Sequence, residues 1–286
     1  WRLRGEDEGR QEGSARHDDF RNGPEEAQER DHGSGHELRA LPHQRRQLRR
    51  QQTQQEPFAD AETAPSTFST AATFPSPIAF VKVVGTSTCG GASSVVTVPA
   101  AGVAAGNTLI LTVVVRGNAT GAASAVDTQG NTYTLDATSV RAGQGQTYVL
   151  SAYIATALVS GNTITITHPN DNAEGAVVSE FSGIAAVGRV DVTATTNGNS
   201  NAPSATVTTS GGPRLIVGAV GSHNNRTYTE ASGWTTLQHL AQTCGSGGNR
   251  ADNHSGYRIE AASGSFTYNP TNSNGEHWYE AVVAYK

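Results

Sequence analysis

Methionine is absent from this 286-residue chain, and lysine is confined to Lys82 and Lys286. With Trp1 as its first residue, a chain without methionine is expected to be a fragment, a processed form or a trimmed product, so a native targeting signal need not be readable in it. The scarcity of lysine leaves Schiff-base and lysine-phosphate chemistry almost without candidates. No run of 18 apolar residues occurs, so no membrane-spanning helix is expected. Also missing are a G-x-S-x-G elbow, an H-E-x-x-H pair, paired C-x-x-C motifs, a Walker loop and a G-x-G-x-x-G turn, which removes the usual signatures of nucleophilic, zinc-dependent and nucleotide-cofactor enzymes. No cofactor is implied. From residue 77 onward 9 Lys plus Arg stand against 11 Asp plus Glu, so there is no basic field for nucleic acid or an anionic membrane.

What is present falls into two unlike polymers. Residues 1–76 hold 25 of the 45 Asp, Glu, Lys and Arg residues, and the break lies near Pro75 to Pro77. Residues 1–56 combine Arg, Glu, Gln, Gly and His with almost no β-branched residues, a composition that cannot bury enough apolar surface to offset the entropy of ordering. The expectation is a disordered, polyampholytic leader, with upstream or out-of-frame sequence as the alternative reading. The run Arg45-Arg46-Gln47-Leu48-Arg49-Arg50 is balanced by 14 acidic residues against 11 Arg in residues 1–76, and the His32 and His36 pair has glycines inside its spacing. Residues 57–77, rich in Ala, Ser, Thr and Pro, read as an extended linker.

The only two cysteines, Cys89 and Cys244, sit in similar glycine-rich settings. An even pair invites a disulfide and with it an oxidising compartment, outside the cell or at its surface; two separate buried thiols are the competing reading.

From residue 78 the chain alternates short runs of Val, Ile, Thr and Tyr with Gly, Asn and Asp clusters, the pattern of an all-β sandwich or barrel. Candidate strands are 78–84, 94–98, 108–116, 131–136, 147–156, 162–168, 176–181, 189–195, 204–208, 214–221, 235–238, 255–261, 265–268 and 278–285. Gly106-Asn107, Gly130-Asn131 and Gly161-Asn162 each precede Thr and a strand, where residues tolerant of positive φ suit a reversal. The tract also resembles itself. Residues 108–114 answer 214–220, 130–135 answer 233–237, 164–170 answer 266–272 and 177–181 answer 282–286, always in the same order. We read this as a duplicated block of about four strands, with halves near 94–183 and 204–286. Its two copies form one two-sheet β-sandwich of jelly-roll type with pseudo-twofold character.

Gly106-Asn107-Thr108-Leu109, the segment Asp127 to Tyr133, Glu180-Phe181-Ser182-Gly183 followed by Asp191, Gly233-Trp234-Thr235 and the closing strand Trp278 to Tyr285 together make a recognisable pattern. The tract resembles a β-sandwich module found repeatedly in secreted bacterial and phage surface proteins. The resemblance covers about residues 78–286. It implies an extracellular jelly-roll or immunoglobulin-like domain concerned with surfaces, adhesion or glycan contact, and carries over no catalytic residues.

Candidate chemistry is thin. Glycoside hydrolysis needs two carboxyl groups across a cleft, for which Glu180, Glu276 and Glu280 are the candidates. Two of them have a structural alternative: an ion pair of Glu180 with Arg189 or Arg258, and a rim position for Glu280 that blunts strand pairing. Trp234, Tyr257, Tyr268, Trp278 and Tyr279 could present rings to a sugar, with core packing as the alternative. The loops around Asp127 and Asp171 offer oxygen ligands for Ca²⁺, against a simpler turn-forming role, and His223, His239, His254 and His277 share no ligand spacing. The leading expectation is a secreted, non-enzymatic module binding a polysaccharide or cell-surface glycan. A carbohydrate-active hydrolase, and a structural repeat that contacts neighbouring modules of a larger surface protein or filament, are the alternatives.

Overall fold

The computed structural model describes residues 77–286 apart from residue 90, residues 171–172, residue 225 and residues 245–248. The expected leader and nearly all of the linker therefore lie outside the described residues. Among the described residues there is no helix, and the strands pair antiparallel throughout. The first half contains β1 (Ala79–Thr88), β2 (Ser93–Thr97), β3 (Thr108–Arg116), β4 (Ser124–Asp127), β5 (Tyr133–Arg141), β6 (Gly145–Tyr153), β7 (Thr163–Thr167) and β8 (Ala173–Ser182). The second contains β9 (Val190–Ser200), β10 (Ala205–Thr208), β11 (Arg214–Ser222), β12 (Tyr228–Thr229), β13 (Thr235–Cys244), β14 (Asn249–Glu260), β15 (Ser265–Tyr268), β16 (Thr271–Asn272) and β17 (Glu276–Tyr285).

The first half forms a five-stranded sheet of order β1-β8-β3-β6-β5 and a three-stranded sheet of order β2-β7-β4. This interleaving is that of a jelly roll, with β5 added to the large sheet by its hairpin with β6. In the second half the large sheet has the order β13-β14-β11-β17-β9, which is the same sequence of equivalents read backwards. There β10 pairs with β15 as β2 pairs with β7, while β12 pairs with the additional strand β16. Local details repeat too: β5 slips register against β6 between Leu135 and Ala137, and β13 against β14 between Thr236 and Gln238. Gly130 and Gly233, which lead into those strands, both hold the positive φ that a side chain would disfavour. The repeating unit is thus larger than four strands; each copy is a complete jelly roll.

The two large sheets pack face to face. β1 lies against β13 and β5 against β9, β8 meets β13 and β14, β17 meets β5 and β6, and β3 crosses β11 at the centre. Every such contact has its counterpart under exchange of the halves, which is the expected pseudo-twofold relation. The large-sheet strands are covered on both faces, so they require continuous apolar runs. β3, Thr-Leu-Ile-Leu-Thr-Val-Val-Val-Arg, is buried from its first to its eighth residue. Its odd positions Leu109, Leu111 and Val113 enter the first half's own core with Val96, Ile164 and Ile166 of the small sheet. Its even position Ile110 enters the central core with Val149, Phe181, Leu215, Val217, Val283 and Tyr285. Small-sheet strands have one solvated face and alternate instead, as in the pattern of β2 and β10.

Towards the far end of the strands the central interface becomes polar and close. Asn253, fully buried, donates through Nδ2 to Thr112 O at 2.9 Å and Gly175 O at 3.1 Å. Thr147 Oγ1 donates to Tyr279 O at 2.7 Å, and Ser139 Oγ to Thr196 O at 2.7 Å. Gly145 and Gly221 leave room for the Tyr279 ring, where a Cβ would collide with it. Tyr285 Oη donates to Asp136 Oδ2 at 2.8 Å, again joining the halves.

A covalent tie completes the interface. Cys89 just after β1 and Cys244 at the end of β13 form a disulfide, with their Cα atoms 5.3 Å apart and a sequence separation of 155 residues. Closing a loop of that length restricts the unfolded chain by about 5 kcal/mol on entropy grounds. We predict that the double variant Cys89→Ser with Cys244→Ser remains folded but loses about 3 to 5 kcal/mol of stability, read from the urea midpoint. An unchanged midpoint would show that the bridge contributes nothing.

Candidate functional site

The carboxylates singled out from sequence lie in different places. Glu180, on β8, points into the first half's own core beside Leu109; its partners are Lys82 Nζ at 2.5 Å, the Ala104 amide at 3.0 Å and Asn107 Nδ2 at 2.6 Å. Lys82 thus takes the place expected of Arg189 or Arg258. Glu280, on β17, lies on the opposite side of the molecule, in the outer layer of the second half, and is fully buried. Glu276 shares its face but begins the strand, about 13 Å of extended chain away with Trp278 between them. Glu276 accepts from Asn224 Nδ2 at 2.7 Å and pairs with Arg226 Nε at 3.2 Å. Glu180 is separated from the other two by both large sheets, so the three do not meet in one cleft.

The aromatic candidates pack the protein where open sugar platforms were expected. Trp234, Trp278, Tyr268 and Tyr279 are buried, and Tyr257 is half-buried. Trp234 donates Nε1–H to Thr267 O and lies 4.6 Å from Tyr268; Trp278 donates to Ser200 Oγ. Tyr257 stacks on Phe80 at 5.2 Å across the central interface. For Trp278, Tyr279 and Tyr257 the cause is the two-faced burial of the large sheets that carry them; Trp234 and Tyr268 pack together in the second half's outer core. Asp127 is a turn organiser: its oxygens accept from the Gln129 and Asn131 amides, Asn131 Nδ2 and Tyr133 Oη. Asp171 lies outside the described residues, and among those described no group of three His, Cys, Asp or Glu residues is disposed to hold a metal.

Spacing did not foretell a polar cluster under the β12-β16 ribbon. Buried Asp252 accepts from the Arg226 amide at 2.7 Å and lies 3.7 Å from His239 Nε2. His254 stacks against Tyr228 at 4.5 Å, with Tyr268 parallel on its other side at 6.5 Å and Glu230 3.4 Å from its Nε2. Burial pushes the Asp252 carboxyl up; it would also raise Glu230, but the hydrogen bond and charge of His254 outweigh it and the net shift is downward. Ser222 hydrogen-bonds Asp252 at 3.4 Å and receives the Tyr228 hydroxyl at 2.8 Å; neither contact involves an imidazole, so the nucleophile-to-base link of a serine triad is not made. The adjoining β13 and β14 ends were not recognised as strands because they carry polar residues such as His239, Asp252, Asn253 and His254 in place of an apolar alternation.

The open concavity lies at the opposite end of the sandwich, along the seam of the halves. A hollow of about 620 Å³ is walled by Asn107, Tyr153 and Ser182 of the first half and Pro213, Arg214 and Lys286 of the second. Beside it a hollow of about 350 Å³ is lined by Asn131, Thr132, Thr134, Thr156 and Arg189. Tyr153 and Ala186 border both, so the two hollows adjoin along the seam and are called the seam groove. Its crossing segment, 183–189, is pinned by the Ala185 amide to Lys286 O and by the Lys286 amide to Arg189 O, each at 2.8 Å. Arg189 spans the edge through Ser151 Oγ at 2.7 Å and Thr134 Oγ1 at 3.3 Å, while Arg214 is paired with Asp191 at 2.8 Å. The available sequence signal was the apolar, glycine-flanked segment between the halves, which leaves Val187 84% exposed. No known protein family, curated protein or solved structure matches the chain.

Glu280 generates a testable consequence. Neither of its buried oxygens has a well-formed hydrogen bond, and burial pushes its carboxyl well above the ordinary range, opposed only in part by the Ala205 amide. Its contribution to stability is therefore complete below the model-compound value of 4.5 and declines as pH rises towards the folded-state value. Glu280→Gln should match the parent at pH 4 and be the more stable of the two at neutral pH, because only the parent's unfolded chain gains from ionising a carboxyl that the fold keeps protonated. Urea midpoints at the two pH values test this, and a less stable variant at neutral pH would contradict it.

Proposed function

We propose that this domain is an extracytoplasmic, non-enzymatic binding module that takes a saccharide segment in the seam groove. The observation that carries the reading is Tyr153, half-buried between two adjoining hollows and flanked by Asn107, Asn131, Thr132, Thr134, Thr156 and Arg189. A ring beside amide, hydroxyl and guanidinium groups matches the needs of a pyranose, whose apolar face stacks on an aromatic and whose hydroxyls exchange hydrogen bonds. Combined volumes of this size suit a short oligosaccharide.

Two further features support it. Neither hollow is lined by Asp or Glu, which favours retention of a glycan over its hydrolysis by a carboxylate pair. The Cys89–Cys244 bridge suits an oxidising compartment such as the cell exterior.

A panel of soluble polysaccharides, assayed by affinity electrophoresis and for new reducing ends, tests the proposal. Retardation without new reducing ends is expected. Tyr153→Ala should weaken the retained ligand at least tenfold, or ~1.4 kcal/mol, with an unchanged melting temperature. Reducing ends that accumulate with time would contradict the binding-only reading, and unaltered affinity in the variant would remove the groove from it.

A further inference from the structure

We propose that Lys82 and Asn107 join in an intramolecular amide bond, formed by the protein itself with Glu180 as the proton carrier. The inference rests on one juxtaposition. Glu180, 1% exposed, holds the Lys82 amine at 2.5 Å from Oε2 and the Asn107 side-chain amide at 2.6 Å from Oε1. One buried carboxylate therefore touches both the nucleophile and the leaving nitrogen of an amide exchange.

The sheet makes this geometry. In β8, Glu180 is flanked directly by Lys82 of β1 and Leu109 of β3 on the same face. Asn107 lies two residues before Leu109 and so returns to that face beside the carboxylate. Adjacent strands are about 4.8 Å apart, and the four-carbon stem of lysine can reach across β8 to the Asn107 carbonyl carbon. Leu109 beside Glu180 is fully buried and Glu180 itself is 1% exposed, while the Lys82 side chain is 25% exposed. A second link fixes the carboxylate: the Ala104 amide donates to Oε1 at 3.0 Å and holds the turn that carries Asn107.

The step balances without an external reagent. Lys82 Nζ transfers a proton to Glu180 Oε2, and the freed lone pair forms a bond to Asn107 Cγ. Glu180 then delivers that proton to Nδ2 and the Cγ–Nδ2 bond breaks; the second proton of the former Lys82 amine passes by way of Glu180 to the released ammonia, which leaves as ammonium through the groove that Asn107 lines. Net, one ammonium group and one primary amide become one secondary amide and one ammonium ion. β1 is an edge strand, already fastened by Cys89 just beyond its end, and the new bond would fasten its first half to the approach to β3.

Intact mass spectrometry of the reduced full chain tests the proposal independently of any groove ligand. The expected mass is lower than the sequence mass by one ammonia, and proteolysis yields one branched peptide joining Lys82 to Asn107. Asn107→Asp should instead lose one water, and Glu180→Gln should retain the full sequence mass while its far-ultraviolet circular dichroism stays that of the parent. Full mass in the parent chain after prolonged incubation would overturn the proposal. So would an ammonia loss mapped to a linear Asn107 peptide, or a bond that forms unhindered in Glu180→Gln.

Discussion

The face-to-face packing of the two large sheets is the constraint on which the rest of the structure depends. A five-stranded sheet with one face on its partner sheet and the other on a small sheet has no solvated surface, so its strands must be apolar on both sides. β3, β6, β8, β11 and β17 are buried almost residue by residue, and β3 and β11 are also largely apolar. Among the polar groups admitted, Asn253 and Thr147 bond across the interface. Their position has a reason, because an unpaired buried amide would cost more than an apolar replacement and a paired one fixes the relative register of the halves.

The same packing explains which residues are free to act. Rings and carboxylates within the span of the large-sheet strands, such as Tyr279 and Glu280, are committed to cores, whereas Tyr153 at the very end of β6 is not. On the large sheets, open surface for recognition remains where strands end and the chain crosses between copies. The seam groove is such a place, and both halves furnish its walls. Function would then depend on the duplication itself, since one jelly roll alone supplies half of the groove.

Much of the fold was legible in the chain. Strand positions, the fourfold correspondence between 108–181 and 214–286, and the turn glycines at 130 and 233 all follow from local pattern. The four-residue β4 and the two-residue β12 and β16 were missed because they exist through pairing with a neighbour and carry Ser, Asp and Asn instead of a hydrophobic period. The size of the repeat was underestimated for the same reason. The candidate site was less legible. Aromatic count suggested exposed platforms, but burial depends on how many faces of a sheet are covered, and sequence does not reveal that one sheet lies on another. Tyr153 and Arg189 gave no signal of their own, since their proximity is created by the crossing segment and by β6 and β9 arriving at one end.

The central claim is that the two jelly rolls share one core and are a single cooperative unit, with the disulfide as reinforcement of that union and not its cause. Differential scanning calorimetry of the full chain, with the Cys89–Cys244 bridge reduced, tests it most directly. The account predicts one endotherm whose calorimetric and van't Hoff enthalpies agree. Two separable transitions would contradict it.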